Sequence, residues 1–120
     1  MSKAYDAKTV FIDGEECLYR KSRITPKKLG EFVALWKQEP RGPYSEEDSI
    51  SYFIIESETK EFHFKFPKDV LVSRGIIASS NSPGKQGFRL YPPHCVVSSK
   101  QALETQAWQS DSYVDAPFIL

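Results

Sequence analysis

The densest positive charge in the chain lies in a short stretch near its N-terminal end. Within nine residues the basic side chains are Arg20, Lys21, Arg23, Lys27 and Lys28. Ammonium and guanidinium groups at this density bind phosphate oxygens, which is how most proteins grip a nucleic acid. Thr25-Pro26 favours the start of a helix, so Lys27 and Lys28 are predicted to add charge to a helix N-terminus, where anions bind. A solvated surface is the alternative interpretation.

A second candidate for phosphate binding is the loop Gly84-Lys85-Gln86-Gly87, which Arg89 follows closely. Glycine lets backbone N–H groups approach an anion, and Lys85 and Arg89 supply charge. The spacing is not that of a Walker loop, so we expect no nucleoside triphosphate site. Trp108 is a candidate for stacking on a base, with packing at the edge of the core as the alternative.

The stretch Glu61-Phe62-His63-Phe64-Lys65-Phe66-Pro67 alternates between apolar and polar residues. A period of two predicts a β-strand whose phenylalanine face is buried. The opposite face carries an acid, an imidazole and an ammonium group. That polar row is either a solvated sheet face or a site.

Zinc-binding residue types are present without zinc-binding spacing. The four candidates are His63, His94, Cys17 and Cys95, none of which forms a Cys-x-x-Cys pair. We therefore expect no structural zinc and no bound cofactor. Adjacent residues rarely present both groups to one substrate, so His94-Cys95 is a poor nucleophile pair.

Composition predicts a single domain over residues 1–120. The chain has 16 acidic and 16 basic residues and is 40% hydrophobic. The net charge of zero thus favours no particular class of partner. Only the distribution of the charges along the chain can indicate one. No apolar run suits a membrane span or a signal peptide, and two distant cysteines suit a reducing compartment. We expect a cytoplasmic protein without membrane contact; its oligomeric state stays open.

The periodicities predict an α+β fold, with a mainly antiparallel mixed sheet flanked by two main helices. The first of these helices starts at Thr25-Pro26, with apolar residues at Leu29, Phe32, Val33 and Trp36, and ends at Pro40. The second starts at Ser98, in capping-box spacing with Gln101, and runs to about Tyr113.

Shorter elements are predicted between these helices. A hairpin turns at Asp13-Gly14, and another pairs the strand around Ile50–Ile54 with residues 61–67. A short helix covers Lys68 to Arg74 and closes at Gly75. Further strands are predicted at Ile76–Ala78 and Phe88–Tyr91.

Four segments in this order resemble the MepB-like family, which is named after a bacterial multidrug-efflux locus. The resemblance spans residues 16 to 113 and rests on these segments: Ile24-Thr25-Pro26-Lys27-Lys28-Leu29-Gly30-Glu31-Phe32-Val33-Ala34-Leu35-Trp36-Lys37, Phe64-Lys65-Phe66-Pro67-Lys68-Asp69-Val70-Leu71, Gly84-Lys85-Gln86-Gly87-Phe88-Arg89-Leu90-Tyr91-Pro92-Pro93, and Ser99-Lys100-Gln101-Ala102 with Thr105-Gln106-Ala107-Trp108-Gln109. The chain resembles a member that is short at its N-terminus. It departs from the family at His94-Cys95, where members have Trp-Asp, and at Lys65, where members are aliphatic.

The resemblance implies a core like that of restriction endonucleases. Such a core needs an Asp near one strand and a Glu/Asp-x-Lys on the next, to hold Mg²⁺ and orient water. Asp48, Glu61 and Lys65 are the nearest equivalents, with Asp48 and Glu61 as metal ligands. Glu61 is followed two residues later by His63 instead of lysine, so the site is expected to be degenerate.

These observations favour a non-catalytic nucleic-acid-binding protein, with DNA as the expected partner. The residues predicted to contact it are Lys21, Arg23, Lys27, Lys28, Lys85, Arg89 and Trp108. A weak Mg²⁺-dependent nuclease is the first alternative. An accessory protein of an efflux or stress system, which binds a small molecule or a protein, is the second.

Overall fold

A computed structural model describes residues 8–119 of the chain. In chain order the strands are β1 Lys8–Ile12, β2 Glu15–Lys21, β3 Arg23–Ile24, β4 Glu31–Ala34, β5 Trp36–Gln38, β6 Arg41–Pro43, β7 Tyr52–Glu56, β8 His63–Pro67, β9 Gly87–Leu90 and β10 Tyr113–Val114. The helices are α1 Lys68–Ser73 and α2 Lys100–Ser110. Within the described chain, no helix has both the length and the apolarity to cross a bilayer.

The strands form a large sheet and two small ones. The 5-stranded sheet has the order β1-β2-β7-β8-β10, and its β2–β7 pair is parallel while its other pairs are antiparallel. The 3-stranded sheet has the order β3-β4-β9, and β5 pairs with β6. A mixed, mainly antiparallel sheet with two helices confirms the predicted α+β class.

The predicted phenylalanine face forms the centre of the core. Phe64 and Phe66 have no exposed surface, and Phe62 is 5% exposed. The rings of Phe64 and Phe66 stack with centroids 5.3 Å apart. Aromatic side chains bury more apolar area than other residues, so this row dominates the burial that stabilises the sheet.

The opposite face of β8 is covered at His63, whereas Glu61 is exposed and Lys65 is partly exposed. His63 is buried, and its Nδ1 lies 2.9 Å from the carbonyl oxygen of Ala116. Phe118 packs against the His63 ring at 5.5 Å and against Tyr19 at 5.7 Å. The C-terminal segment thus folds back over this part of the sheet.

The helix predicted from Thr25-Pro26 to Pro40 is wrong. Residues 25–30 form a turn that contains Leu29, while Phe32 and Val33 belong to β4 and Trp36 to β5. Gly30 has a φ of 77°, outside the helical region, and an added Cβ there would lie 2.2 Å from the carbonyl oxygen of Leu90. This close approach lets β4 pair with β9.

Burial along β4 follows a period of two, because Glu31 and Val33 face inward while Phe32 faces outward. A buried glutamate is unexpected, but its carboxylate is well satisfied. It accepts hydrogen bonds from Ser22 Oγ at 2.7 Å, Ser57 Oγ at 2.7 Å and the Glu58 amide at 3.0 Å. These partners are distant in sequence, so the local pattern could not show them.

The predicted first hairpin, short helix and last helix are confirmed with small shifts. The first hairpin turns at Asp13 and Gly14, whose φ angles are 52° and 81°. Helix α1 is followed by Gly75 at a φ of 73°. The strand predicted at Ile76–Ala78 is wrong: Ile76 and Ile77 are buried in a connection, and their amides donate to the carbonyl oxygen of Leu71. Helix α2 is capped by Ser99, one residue later than predicted.

One buried side chain attaches α2 to the small sheet. Gln109 has no exposed surface, and its Nε2 donates to the carbonyl of Arg89 at 2.9 Å. Its Oε1 accepts from the Tyr91 amide at 2.8 Å. The side-chain amide therefore pairs with β9 as another strand's backbone would.

Replacing Gly30 by alanine should destabilise the protein by more than replacing Gly14. Both positions have positive φ, which costs a non-glycine residue about 1 kcal/mol or more. Only Gly30 adds a clash, since nothing lies within 4 Å of a Cβ at Gly14. Urea unfolding of Gly30→Ala and Gly14→Ala measures the difference. Equal losses of stability would contradict the close packing of Gly30 on β9.

The variant Gln109→Leu should lose about 2–4 kcal/mol of stability, because two partly buried backbone groups, the Arg89 carbonyl on β9 and the Tyr91 amide just after it, would lose their partners. Gln101→Leu, on an exposed position of the same helix, is the matched control and should change stability by less than about 0.5 kcal/mol. Thermal and urea unfolding of both variants provide the measurement. A small effect at Gln109 would mean that α2 is not held to β9 by this amide.

Candidate functional site

Two adjoining clefts lie between β9 and the N-terminal end of α2. Their volumes are about 360 and 370 Å³. Both are lined by Arg89, Tyr91, Ser99 and Ala102, so they are continuous with each other. We call them together the cationic groove, after its basic lining residues Lys28, Arg74, Lys85 and Arg89.

The charged side chains known to line this groove are all basic. Arg74 and Lys85 line the first cleft, Lys28 lines the second, and Arg89 lines both. Among the described residues that line either cleft, none is Asp or Glu. Positive charges lining a concave surface raise the local concentration of anions.

Arg89 organises the middle of the groove. Its guanidinium donates to the Leu29 carbonyl at 2.7 Å and to Thr25 Oγ1 at 2.9 Å. These bonds hold the turn at residues 25–30 and so position Lys28 beside the second cleft. A guanidinium has five N–H donors, so Arg89 can hold this turn and still contact an anion.

Trp108 forms a wall of the first cleft and belongs to the edge of the core. Its ring lies 5.8 Å from Phe66 and stacks on Phe88 at 6.5 Å. Arg74 directly follows α1, and its guanidinium carbon lies 5.3 Å from the centre of the Trp108 ring. The predicted aromatic residue is therefore at the site, but Arg74 covers its ring.

The N-terminus of α2 opens onto both clefts. The Ser99 Oγ accepts from the Ala102 amide at 3.1 Å, and Ser99 and Ala102 line the groove. The first amides of a helix lack partners within it, and the aligned peptide dipoles place partial positive charge at this end. The helix N-terminus predicted at Pro26 is absent, but α2 places one next to Lys28.

The groove contains some of the predicted nucleic-acid contacts and not others. Lys28, Lys85, Arg89 and Trp108 come together there. Three predicted residues, Lys21, Arg23 and Lys27, line neither cleft.

The side chain of Lys85 reaches the groove, but the backbone of its loop is engaged elsewhere. The Lys85 amide donates to the Ile76 carbonyl at 2.9 Å, and the Gly84 amide donates to Ser82 Oγ at 3.2 Å. The loop therefore contributes its lysine and not the nest of amides that its glycines predicted.

The structure does not bring the predicted nuclease residues together. Asp48 precedes β7 and Glu61 precedes β8, so they lie at opposite ends of an antiparallel hairpin whose strands are about 14 Å long. The Asp48 carboxylate accepts from Lys37 Nζ at 3.1 and 3.2 Å and from the Ser45 amide at 2.7 Å. Lys65 Nζ lies 4.5 Å from the centre of the Tyr52 ring.

The zinc-preferring side chains are also dispersed. Among residues 8–119, no group of three or more His, Cys, Asp or Glu side chains is placed to hold a metal ion. The His94 ring packs edge-on against Phe62 at 5.2 Å. Cys17 and Cys95 are free thiols, and burial raises the pKa of Cys17, which disfavours the thiolate that a metal would need.

Sequence reasoning missed Arg74 because its place in the groove depends on Trp108, which belongs to a different helix. The density of positive charge in residues 20–28 is visible in the sequence, but it does not show which of the lysines faces the groove. Lys28 faces the groove because β4 pairs with β9 and because Arg89 binds the turn that carries Lys28.

Comparison with known proteins agrees with this architecture. The family model described as MepB-like matches residues 1–115. A solved structure, the crystal structure of MepB, is 33% identical to the chain and superposes with a TM-score of 0.86. That match covers 94% of this chain and 79% of the other. No curated protein matches the chain.

Proposed function

The chain belongs to the MepB-like family, and from this premise we propose that it is a non-catalytic nucleic-acid-binding protein, with DNA as its partner. Phosphates would lie along the cationic groove, against Lys28, Arg74, Lys85 and Arg89. The observation that supports this proposal is the presence of these cations in one groove whose described lining includes no carboxylate.

The total charge of the chain makes this arrangement informative. With 16 acidic and 16 basic residues, the chain as a whole favours neither sign of charge. The described charged residues that line this groove, Lys28, Arg74, Lys85 and Arg89, are all basic, which favours an anionic ligand. The alternative, a generally basic surface that attracts anions without a site, does not fit a neutral chain.

The shape of the groove favours an extended anion over a compact one. Its positive charges run from Lys28 in one cleft, through Arg89, to Lys85 and Arg74 in the other. A small anion would need the charges at one point, whereas a polyanion presents phosphates at intervals. Each contacted phosphate releases counterions, so several modest contacts add to a strongly salt-dependent affinity.

The surroundings of Asp48 favour binding over catalysis. A metal-dependent nuclease needs two carboxylates beside one Mg²⁺ ion. Asp48 is engaged with Lys37, and Glu61 lies at the far end of the hairpin. We propose that the fold retains a restriction-endonuclease-like core with a degenerate site, which needs no Mg²⁺. A cytoplasmic location, which the two free thiols favour, is part of the proposal.

Neutralising groove lysines should weaken DNA binding and reduce its salt dependence. The double variant Lys28→Gln/Lys85→Gln should bind fluorescein-labelled DNA more weakly at low salt. The slope of log K against log salt should fall by about one to two, because about one phosphate contact is lost with each lysine. Fluorescence anisotropy over a salt series measures both quantities.

Lys60→Gln is the matched control, because Lys60 is exposed in the β7–β8 turn and lines neither cleft. Absence of wild-type binding at low salt, or equal losses in the control, would contradict the proposal. Supercoiled plasmid incubated with Mg²⁺ or Mn²⁺ should stay intact. Cleavage that disappears in Asp48→Ala would instead establish the nuclease alternative.

A further inference from the structure

The outer face of the 3-stranded sheet carries an exposed aromatic ring. Phe32 is 39% exposed, although Glu31 and Val33 on either side of it are buried. Its ring therefore points away from the core, on a strand held between β3 and β9. A phenylalanine in the middle of a sheet face exposes apolar area to water, and this exposure does not stabilise the fold.

Arginines flank this ring on both neighbouring strands. Phe32 is paired with Arg23 on β3 and with Arg89 on β9. Directly paired residues place their side chains on the same face of the sheet. The guanidinium carbon of Arg89 lies 6.0 Å from the centre of the Phe32 ring. The surroundings of the ring are therefore cationic.

The Phe32 ring also adjoins the cationic groove. A Cβ added at Gly87 would lie 2.6 Å from Phe32 Cζ and 2.4 Å from the Val33 carbonyl oxygen, so the ring rests on the bare backbone of β9. Gly87 and Arg89 both line the first cleft. The exposed ring thus sits at the edge of the groove, in contact with two of its lining residues.

We propose that Phe32 stacks on an unpaired base, and that the groove consequently takes single-stranded nucleic acid in preference to duplex. The inference rests on the proposed function and adds the form of the ligand. A strand whose phosphates lie against Arg89 and Lys85 would pass its bases near Phe32. In a duplex the base faces are covered by their neighbours, whereas an unpaired strand offers them to an aromatic side chain.

Another protein is the competing occupant of an exposed aromatic ring. Aromatic residues and arginines are both common in protein interfaces, so the paired arginines alone do not separate the two occupants. The position of the ring beside the cationic groove favours the nucleic acid, because Arg89 belongs to both. A base with its phosphate suits this combination, because the ring receives the base and the arginines receive the negative charge.

The test compares Phe32→Leu with Phe32→Tyr. Leucine keeps an apolar side chain and removes the π face, whereas tyrosine keeps the face. Wild type should bind a single strand more tightly than a duplex of the same sequence. Phe32→Leu should raise the Kd for the single strand by about 5- to 100-fold and leave that for the duplex nearly unchanged, since aromatic stacking is worth that much per base. Phe32→Tyr should restore tight binding.

The salt dependence separates stacking from charge. Phe32→Leu should keep the wild-type slope of log K against log salt, because it removes no phosphate contact. With 2-aminopurine in the single strand, wild type and Phe32→Tyr should change the fluorescence of the base, and Phe32→Leu should not. Circular dichroism and urea unfolding confirm that the variants are folded.

The outcomes distinguish this inference from the proposed function. Equal wild-type affinity for single strand and duplex, with no effect of Phe32→Leu, overturns the inference while the lysine variants still support the groove. Wild-type self-association that Phe32→Leu abolishes, without loss of single-strand binding, also overturns it in favour of a protein partner. Absence of any binding at low salt overturns the proposed function itself.

Discussion

The pairing of the Gln109 amide with β9 is the interaction on which the candidate site depends. Strand β9 is an edge of the 3-stranded sheet, and burying its outer backbone groups without partners would cost about 1–3 kcal/mol for each. The amide of Gln109 pairs with the Arg89 carbonyl on this strand and with the amide of Tyr91, which follows the strand directly. Helix α2 is thereby fixed along this edge, its N-terminus lies beside the turn at residues 25–30, and the groove is the space between them.

The elements that sequence predicts well are those whose determinants are local. The alternation of Phe62, Phe64 and Phe66 is visible within a few residues, and the face it defines is the centre of the core. Asp13 and Gly14 form the expected turn because positive φ is a property of those residues themselves. Gly75 ends its helix for the same reason.

The false helix at residues 25–40 shows what a local pattern cannot decide. Leu29, Phe32, Val33 and Trp36 satisfy helical spacing, but the odd positions Glu31, Val33 and Leu35 equally satisfy a strand. Distant contacts favour the strand over the helix. Gly30 packs against the Leu90 carbonyl, and serine hydroxyls donate hydrogen bonds to the buried carboxylate of Glu31. Tertiary contacts override local propensity in this segment.

The same limit separates the site residues that sequence finds from those that it misses. Lys85 and Arg89 stand out because glycines and a strand signal surround them. Arg74 has no such signal, since its position depends on Trp108. Phe32 fits a core stripe in the sequence, and only its place on an outer sheet face identifies it as exposed.

A neutral chain can present a cationic groove if its carboxylates are engaged elsewhere. Glu31 is directed inward to hydroxyl and amide donors. Glu56 is buried and accepts from the Tyr19 hydroxyl and the Phe118 amide. Asp48 accepts from Lys37. Burial of a carboxylate is tolerable only when hydrogen bonds replace its water, so the networks of Glu31 and Glu56 remove negative charge from the surface at a structural cost, while Asp48 stays partly exposed and is neutralised by Lys37. The charge of the groove therefore arises from where the fold places its acids as much as from where it places its lysines and arginines.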